Sequence, residues 1–162
     1  MRASPTLLLS ALLFSACSNA LMPGSASTTA RREAQTFILE TLRKQEGEGW
    51  QQLGQFMLWR YGFDRSGCLL SVQREAELGD LFQQRIPLAV AEAMPAPNSE
   101  IIFACREGAA CIDHNVKNRQ QTDEQRVSRT RLLVMDAKDI PPLLNAFAEL
   151  QQLCRDPYAP TR

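Results

Sequence analysis

Nothing in this sequence is long and apolar enough to cross a bilayer. Its longest apolar stretch, residues 7–16, is ten residues interrupted by Ser10 and Ser15, where a spanning helix needs about 20. Charge of one sign is also missing: 18 basic and 18 acidic residues cancel, and no basic stripe recommends nucleic acid as a partner. Histidine occurs once, as His114. There is no Cys-x-x-Cys, no His-Glu-x-x-His, no Gly-x-Ser-x-Gly and no glycine-rich phosphate loop. The sequence thus offers no recognised motif for a metal, a cofactor, a nucleotide or a hydrolytic nucleophile. No internal repeat is visible.

What is present begins at the N-terminus. Arg2 precedes the run Leu7-Leu8-Leu9-Ser10-Ala11-Leu12-Leu13-Phe14-Ser15-Ala16, and Cys17 follows it. A positive tip, a short apolar run and small residues before a cleavage point describe a secretory signal peptide rather than part of a fold. Leu13-Phe14-Ser15-Ala16-Cys17 resembles the lipobox of bacterial lipoprotein precursors, with Phe14 where that family usually has Leu. The resemblance covers only about the first 18 residues. It implies removal of residues 1–16, diacylglycerol on the Cys17 thiol, and attachment to the membrane through lipid chains. Ser18 follows the cysteine. In that family an aspartate there often retains the protein at the inner membrane, so the resemblance implies the outer membrane, facing the periplasm. Cleavage after Ser18-Asn19-Ala20, giving a soluble exported protein, is the alternative.

Five cysteines are awkward for an oxidising compartment, but assigning Cys17 to the lipid or to a discarded peptide leaves Cys68, Cys105, Cys111 and Cys154. Four cysteines suit two disulfides in an exported protein and allow three pairings. Cys105 and Cys111 flank a five-residue segment with Gly108 at its centre, as in a hairpin loop whose strands bring the two sulfurs into reach. That pairing leaves Cys68 with Cys154.

Residues 17–29 are small and polar, as in a flexible tether. One domain is expected over 30–156, with a tail at 157–162. Ala30, Ala34, Phe37, Ile38, Thr41 and Leu42 make a helical stripe over about 30–46, ended by Gly47 and Gly49. Strands are expected over 55–63 and 68–72, joined by the turn Asp64-Arg65-Ser66-Gly67. A third is expected over 81–90, weakened by Pro87. Pro95-Ala96-Pro97-Asn98 reads as a loop. Residues 100–105 and 111–114 read as a second hairpin, 115–128 as a polar loop, and 130–135 as a further strand. Pro141 and Pro142 open a last helix, whose stripe is Leu143, Ala146, Phe147, Leu150, Leu153 and Cys154. The class is α+β: an antiparallel sheet, or a partly closed barrel, covered by the C-terminal helix, with an additional N-terminal helix. This element order resembles that of a pleckstrin-homology-like domain, and a helix-grip or cystatin-like arrangement fits it almost as well.

Two features bear on chemistry. His114 stands beside Asp113, but neighbours on a strand face opposite ways, so the carboxylate is badly placed to orient the imidazole. Trp50, Phe56, Trp59, Tyr61 and Phe63 crowd into 14 residues, either as core or as a face for a peptide or sugar. No catalytic residue emerges. The expectation is a non-enzymatic envelope lipoprotein that binds another envelope protein or supports an assembly. Its rival is a lipoprotein inhibitor of a cell-wall hydrolase, plugging an active site with 106–110 or 115–128.

Overall fold

A computed structural model describes residues 23–47, 50–52, 55–77, 79–118 and 121–155. The signal segment, Cys17 and the tail at 157–162 lie outside the described residues. Helix α1 (Pro23–Arg43) begins at Pro23 rather than at residue 30, so residues 23–29 are helix and not tether. Proline suits a first helical turn. The early part of the helix escaped the apolar pattern because its inward residue is the small, polar Ser27, which is buried. Farther along, Ala34, Ile38, Thr41 and Leu42 are buried as their spacing requires, while Phe37 of the expected stripe is 40% exposed.

Two antiparallel sheets follow, and they are not closed into a barrel. The larger takes the order β1-β2-β3-β4-β7-β8: β1 (Trp50–Gln52), β2 (Gln55–Phe63), β3 (Leu69–Ala76), β4 (Leu81–Pro87), β7 (Ile112–Lys117) and β8 (Thr122–Val127). The smaller holds β5 (Ala91–Ala96), β6 (Glu100–Cys105) and β9 (Arg129–Leu133) in the order β5-β6-β9. Helix α2 (Ile140–Arg155) closes the chain and packs on β5, β6 and α1. The fold is therefore α+β, with a helix at either end.

The chain changes sheet three times, after β4, after β6 and after β8. Backbone bonds hold these crossings together: Arg106 N–H donates to the Val90 carbonyl at 3.0 Å and Cys105 N–H to that of Ser128 at 2.8 Å. Three expectations are corrected here. Residues 100–105 and 111–114 do not form a hairpin, because β6 pairs with β5 and β9 while β7 pairs with β4 and β8. Residues 115–128 are not a loop: most of them belong to β7 and β8, paired from Ile112↔Val127 to Lys117↔Thr122. Every residue of β8 but Val127 is exposed, so no apolar alternation marks it. Pro95 and Ala96 lie in β5 instead of a loop. That strand is the edge of its sheet, where a missing N–H is tolerated. Pro87 ends β4, beyond the reach of its pairing with β7, which stops at Arg85↔Asp113.

Both helices press on a common core. Phe103 of β6 meets Phe147 of α2 edge to face, with ring centroids 5.0 Å apart. Ile38, Leu42, Leu70, Ile86, Ile101, Ile112, Leu132 and Leu150 are fully buried around them. Two disulfides fasten the edges: Cys68–Cys154 joins the residue before β3 to the end of α2, and Cys105–Cys111 joins the two sheets.

Candidate binding site on the large sheet

The register of the large sheet sets its inward face in three parallel rows. Phe63, Leu70, Ile86, Ile112 and Val127 form the first, entirely apolar and continuous with the core. Tyr61, Val72, Gln84, His114 and Gln125 form the second. Trp59, Arg74, Phe82, Val116 and Asp123 form the third. The second and third rows mix polar and apolar side chains; in the third, Trp59 is buried, Arg74, Phe82 and Val116 are partly buried and Asp123 is exposed, while Met57 and Ala76, beyond these three rows, are buried again.

Arg74 is the one cation of the third row. Cross-strand opposition places Trp59 on one side and Phe82 on the other. The guanidinium carbon lies 5.3 Å from the Trp59 ring centroid and 5.1 Å from that of Phe82, within cation–π range of both. Among the described residues no carboxylate or carbonyl pairs with it. Glu75, its chain neighbour, faces the other way and meets Arg60 at 3.6 Å. Asp123 shares its row, but Phe82 and Val116 stand between them. Burial pulls the Arg74 pKa below the ordinary arginine value, although a guanidinium stays charged in a protein. A partly buried cation with no anionic partner among the described residues is costly, and such residues concentrate where a protein binds something.

His114 lies in the row beneath. Its Nδ1 is 3.4 Å from Gln125 Nε2, and its Nε2 is shielded with no hydrogen-bond partner among the described residues. Desolvation and the charge of Arg74 hold its pKa below the ordinary value, against the pull of Asp123. Asp113 sits on the opposite face and accepts from Arg126 Nε at 3.1 Å. The alternation argument against a His114–Asp113 pair thus matches the geometry. Tyr61 is buried, and burial raises its pKa; its hydroxyl accepts from Gln45 Nε2.

The aromatic crowd at 50–63 divides between the two faces. Trp59 and Tyr61 are buried and stacked, with centroids 6.3 Å apart and planes 13° from parallel. Phe63 is partly buried against the core. Phe56 is 48% exposed on the other face, and the side chain of Trp50 lies outside what the structure describes. On that outer face a shallow groove of about 440 Å³ runs over Leu58 and Leu81 between Arg60, Glu75 and Lys117. Its charges are of both signs, which gives it no evident preference.

The sequence holds a signal for Arg74. In Leu69-Leu70-Ser71-Val72-Gln73-Arg74-Glu75-Ala76, the period of two puts Arg74 on the face of Leu70 and Val72. Among the described residues no group of three or more His, Cys, Asp or Glu side chains could hold a metal, and no helix is long and apolar enough to cross a membrane. No family model, no curated protein and no solved structure matches this chain.

Proposed function

We propose that this protein is an exported, non-enzymatic lipoprotein of the bacterial envelope. It is held in the outer membrane by lipid on Cys17 and binds another envelope protein. One observation carries the reading: the two disulfides use Cys68, Cys105, Cys111 and Cys154, which are all the cysteines of the sequence except Cys17 of the lipobox. Paired thiols belong to oxidising compartments. A lipid on Cys17 supplies about 0.8 kcal/mol for each buried CH₂, and several chains together anchor firmly.

The rival reading, an inhibitor of a cell-wall hydrolase, draws support from the exposed turn at 106–110. There Glu107 takes φ 59° and the Cys105–Cys111 bond clamps both ends. The other segment suggested for that role, 115–128, is a β-hairpin.

Fractionation followed by capture tests these readings. The wild-type protein is expected in outer-membrane vesicles and resistant to a high-salt wash, with Cys17→Ser soluble or unprocessed. A wild-type protein washed off without detergent contradicts the anchor. Crosslinking under non-reducing conditions should then yield a structural envelope protein. A stoichiometric hydrolase that loses activity in the complex would favour the inhibitor.

A further inference from the structure

We infer that the partly exposed row of Arg74, Phe82 and Val116 on the large sheet recognises a carboxylate on an acidic peptide segment of the partner, with Arg74 as the residue that takes it. The inference rests on the reading of this protein as a binding domain and gives that site its ligand chemistry.

Three observations converge. First, the guanidinium is preorganised. Its place between the Trp59 and Phe82 rings, 5.3 and 5.1 Å from their centroids, restrains it, so less rotamer freedom is lost when a ligand arrives. Second, among the described residues nothing pairs with its hydrogen-bonding edge. The carboxylates that flank it are engaged elsewhere or separated from it: Glu75 is paired with Arg60, and Asp123 lies beyond Phe82 and Val116. Third, its setting selects the anion. Among the described strands, Arg74 is the one Lys or Arg on this face of the sheet, and the pKa of His114 beside it is held below its ordinary value by burial and by Arg74 itself. One fixed positive charge between two rings matches a singly charged, planar carboxylate, which a guanidinium grips with two parallel hydrogen bonds. A doubly charged phosphate would call for a second cation, and neighbouring Gln84 and Val72 supply none. The partly exposed apolar side chains of Phe82 and Val116 beside it then suit the aliphatic stem of a glutamate better than a hydrated ion.

The test uses the mature, disulfide-bonded protein in non-ionic detergent. Arg74 Nε–H is followed by NMR while a short capped peptide with one glutamate is added. Parallel titrations use the same peptide with glutamine in place of the glutamate, and inorganic phosphate. The Arg74 signal should shift saturably with the glutamate peptide and respond at least about tenfold more weakly to the glutamine peptide and to phosphate, since charge-assisted bidentate bonds are the strong ones. Arg74→Lys keeps the charge but loses the fork, and should weaken binding by about tenfold or more. Arg74→Met should abolish it, with an unchanged circular dichroism spectrum showing that the sheet is intact. Equal binding of the two peptides, tighter binding of phosphate, or full affinity in Arg74→Lys each overturns the inference. No response to any probe reduces Arg74 to a packing residue. Those failures leave partner capture on membranes unaffected, whereas loss of capture with peptide binding intact counts against the partner reading alone.

Discussion

Cys105, the last residue of β6 in the small sheet, is bonded to Cys111, which leads into β7 of the large sheet, with Cα atoms 5.8 Å apart. The bond therefore fastens two sheets at the corner where the chain passes between them. Cys111 N–H also points back at the Cys105 sulfur, at 3.1 Å. The second bond, Cys68–Cys154, closes a sequence separation of 86 residues.

The two links should differ in their effect on stability. In the chain-entropy picture the long loop contributes roughly 4–5 kcal/mol and the short one about 2. Replacing Cys68 and Cys154 together by Ala should cost about twice as much as replacing Cys105 and Cys111, measured by urea denaturation. Peptide mapping under non-reducing conditions should recover both pairs. Recovery of Cys68 linked to Cys105 or Cys111 would contradict the arrangement.

Gln45 is the polar hinge between α1 and the strands. It is 2% exposed. Its Nε2 donates to the Leu133 carbonyl at 2.8 Å and to the Tyr61 hydroxyl, and its Oε1 accepts from Met135 N–H at 2.6 Å. Gln45→Ala leaves these groups without partners and should cost about 2–4 kcal/mol. The exposed Gln152→Ala should cost under about 0.5 kcal/mol. Equal small losses in the two denaturation curves would show that Gln45 is not a structural hub.

Phe147 is fully buried and meets Phe103 edge to face. Phe147→Ala should cost roughly 3–5 kcal/mol, a large share of a small domain's stability. Glu149→Ala, on the exposed face of α2, should stay under about 0.5 kcal/mol. A small loss for Phe147→Ala would mean that α2 is peripheral to the core.

How much of this was legible beforehand depended on burial. The helix α2 was, because Leu143, Phe147 and Leu150 repeat at helical spacing and all are fully buried. The paired cysteines were legible too, although for a partly mistaken reason. A six-residue separation fits the corner between sheets as well as it fits a hairpin, and spacing cannot tell the two apart. Strand β8 was not legible, since Thr122, Asp123, Glu124, Gln125 and Arg126 are all exposed. A charged edge strand guards its sheet against stray pairing and reads as a loop. Arg74 was hidden for the opposite reason. A cation on an otherwise apolar face looks like a break in the pattern until Trp59 and Phe82 are seen on either side of it.

His114 offers a direct electrostatic check, because it is the sole histidine and its ring proton signals are unambiguous. Its folded pKa lies below the ordinary histidine value of 6.5, through burial first and Arg74 second. The unfolded chain therefore binds a proton that the folded one refuses. The contribution of His114 to stability is present above about pH 6.5 and is lost as the pH falls through the folded pKa. NMR titration should give a midpoint below 6.5, and Arg74→Met should move it upward. A midpoint above the ordinary value would contradict the placement of the two groups.

The intact mass of the mature protein, taken without reduction from purified envelopes, bears most directly on export, anchoring and covalent stapling together. The expected species begins at Cys17, carries the mass of diacylglycerol and acyl chains on that residue, and lacks the hydrogens removed by two disulfides. A chain beginning at Leu21 without lipid, or a species whose four remaining cysteines are free, would contradict it.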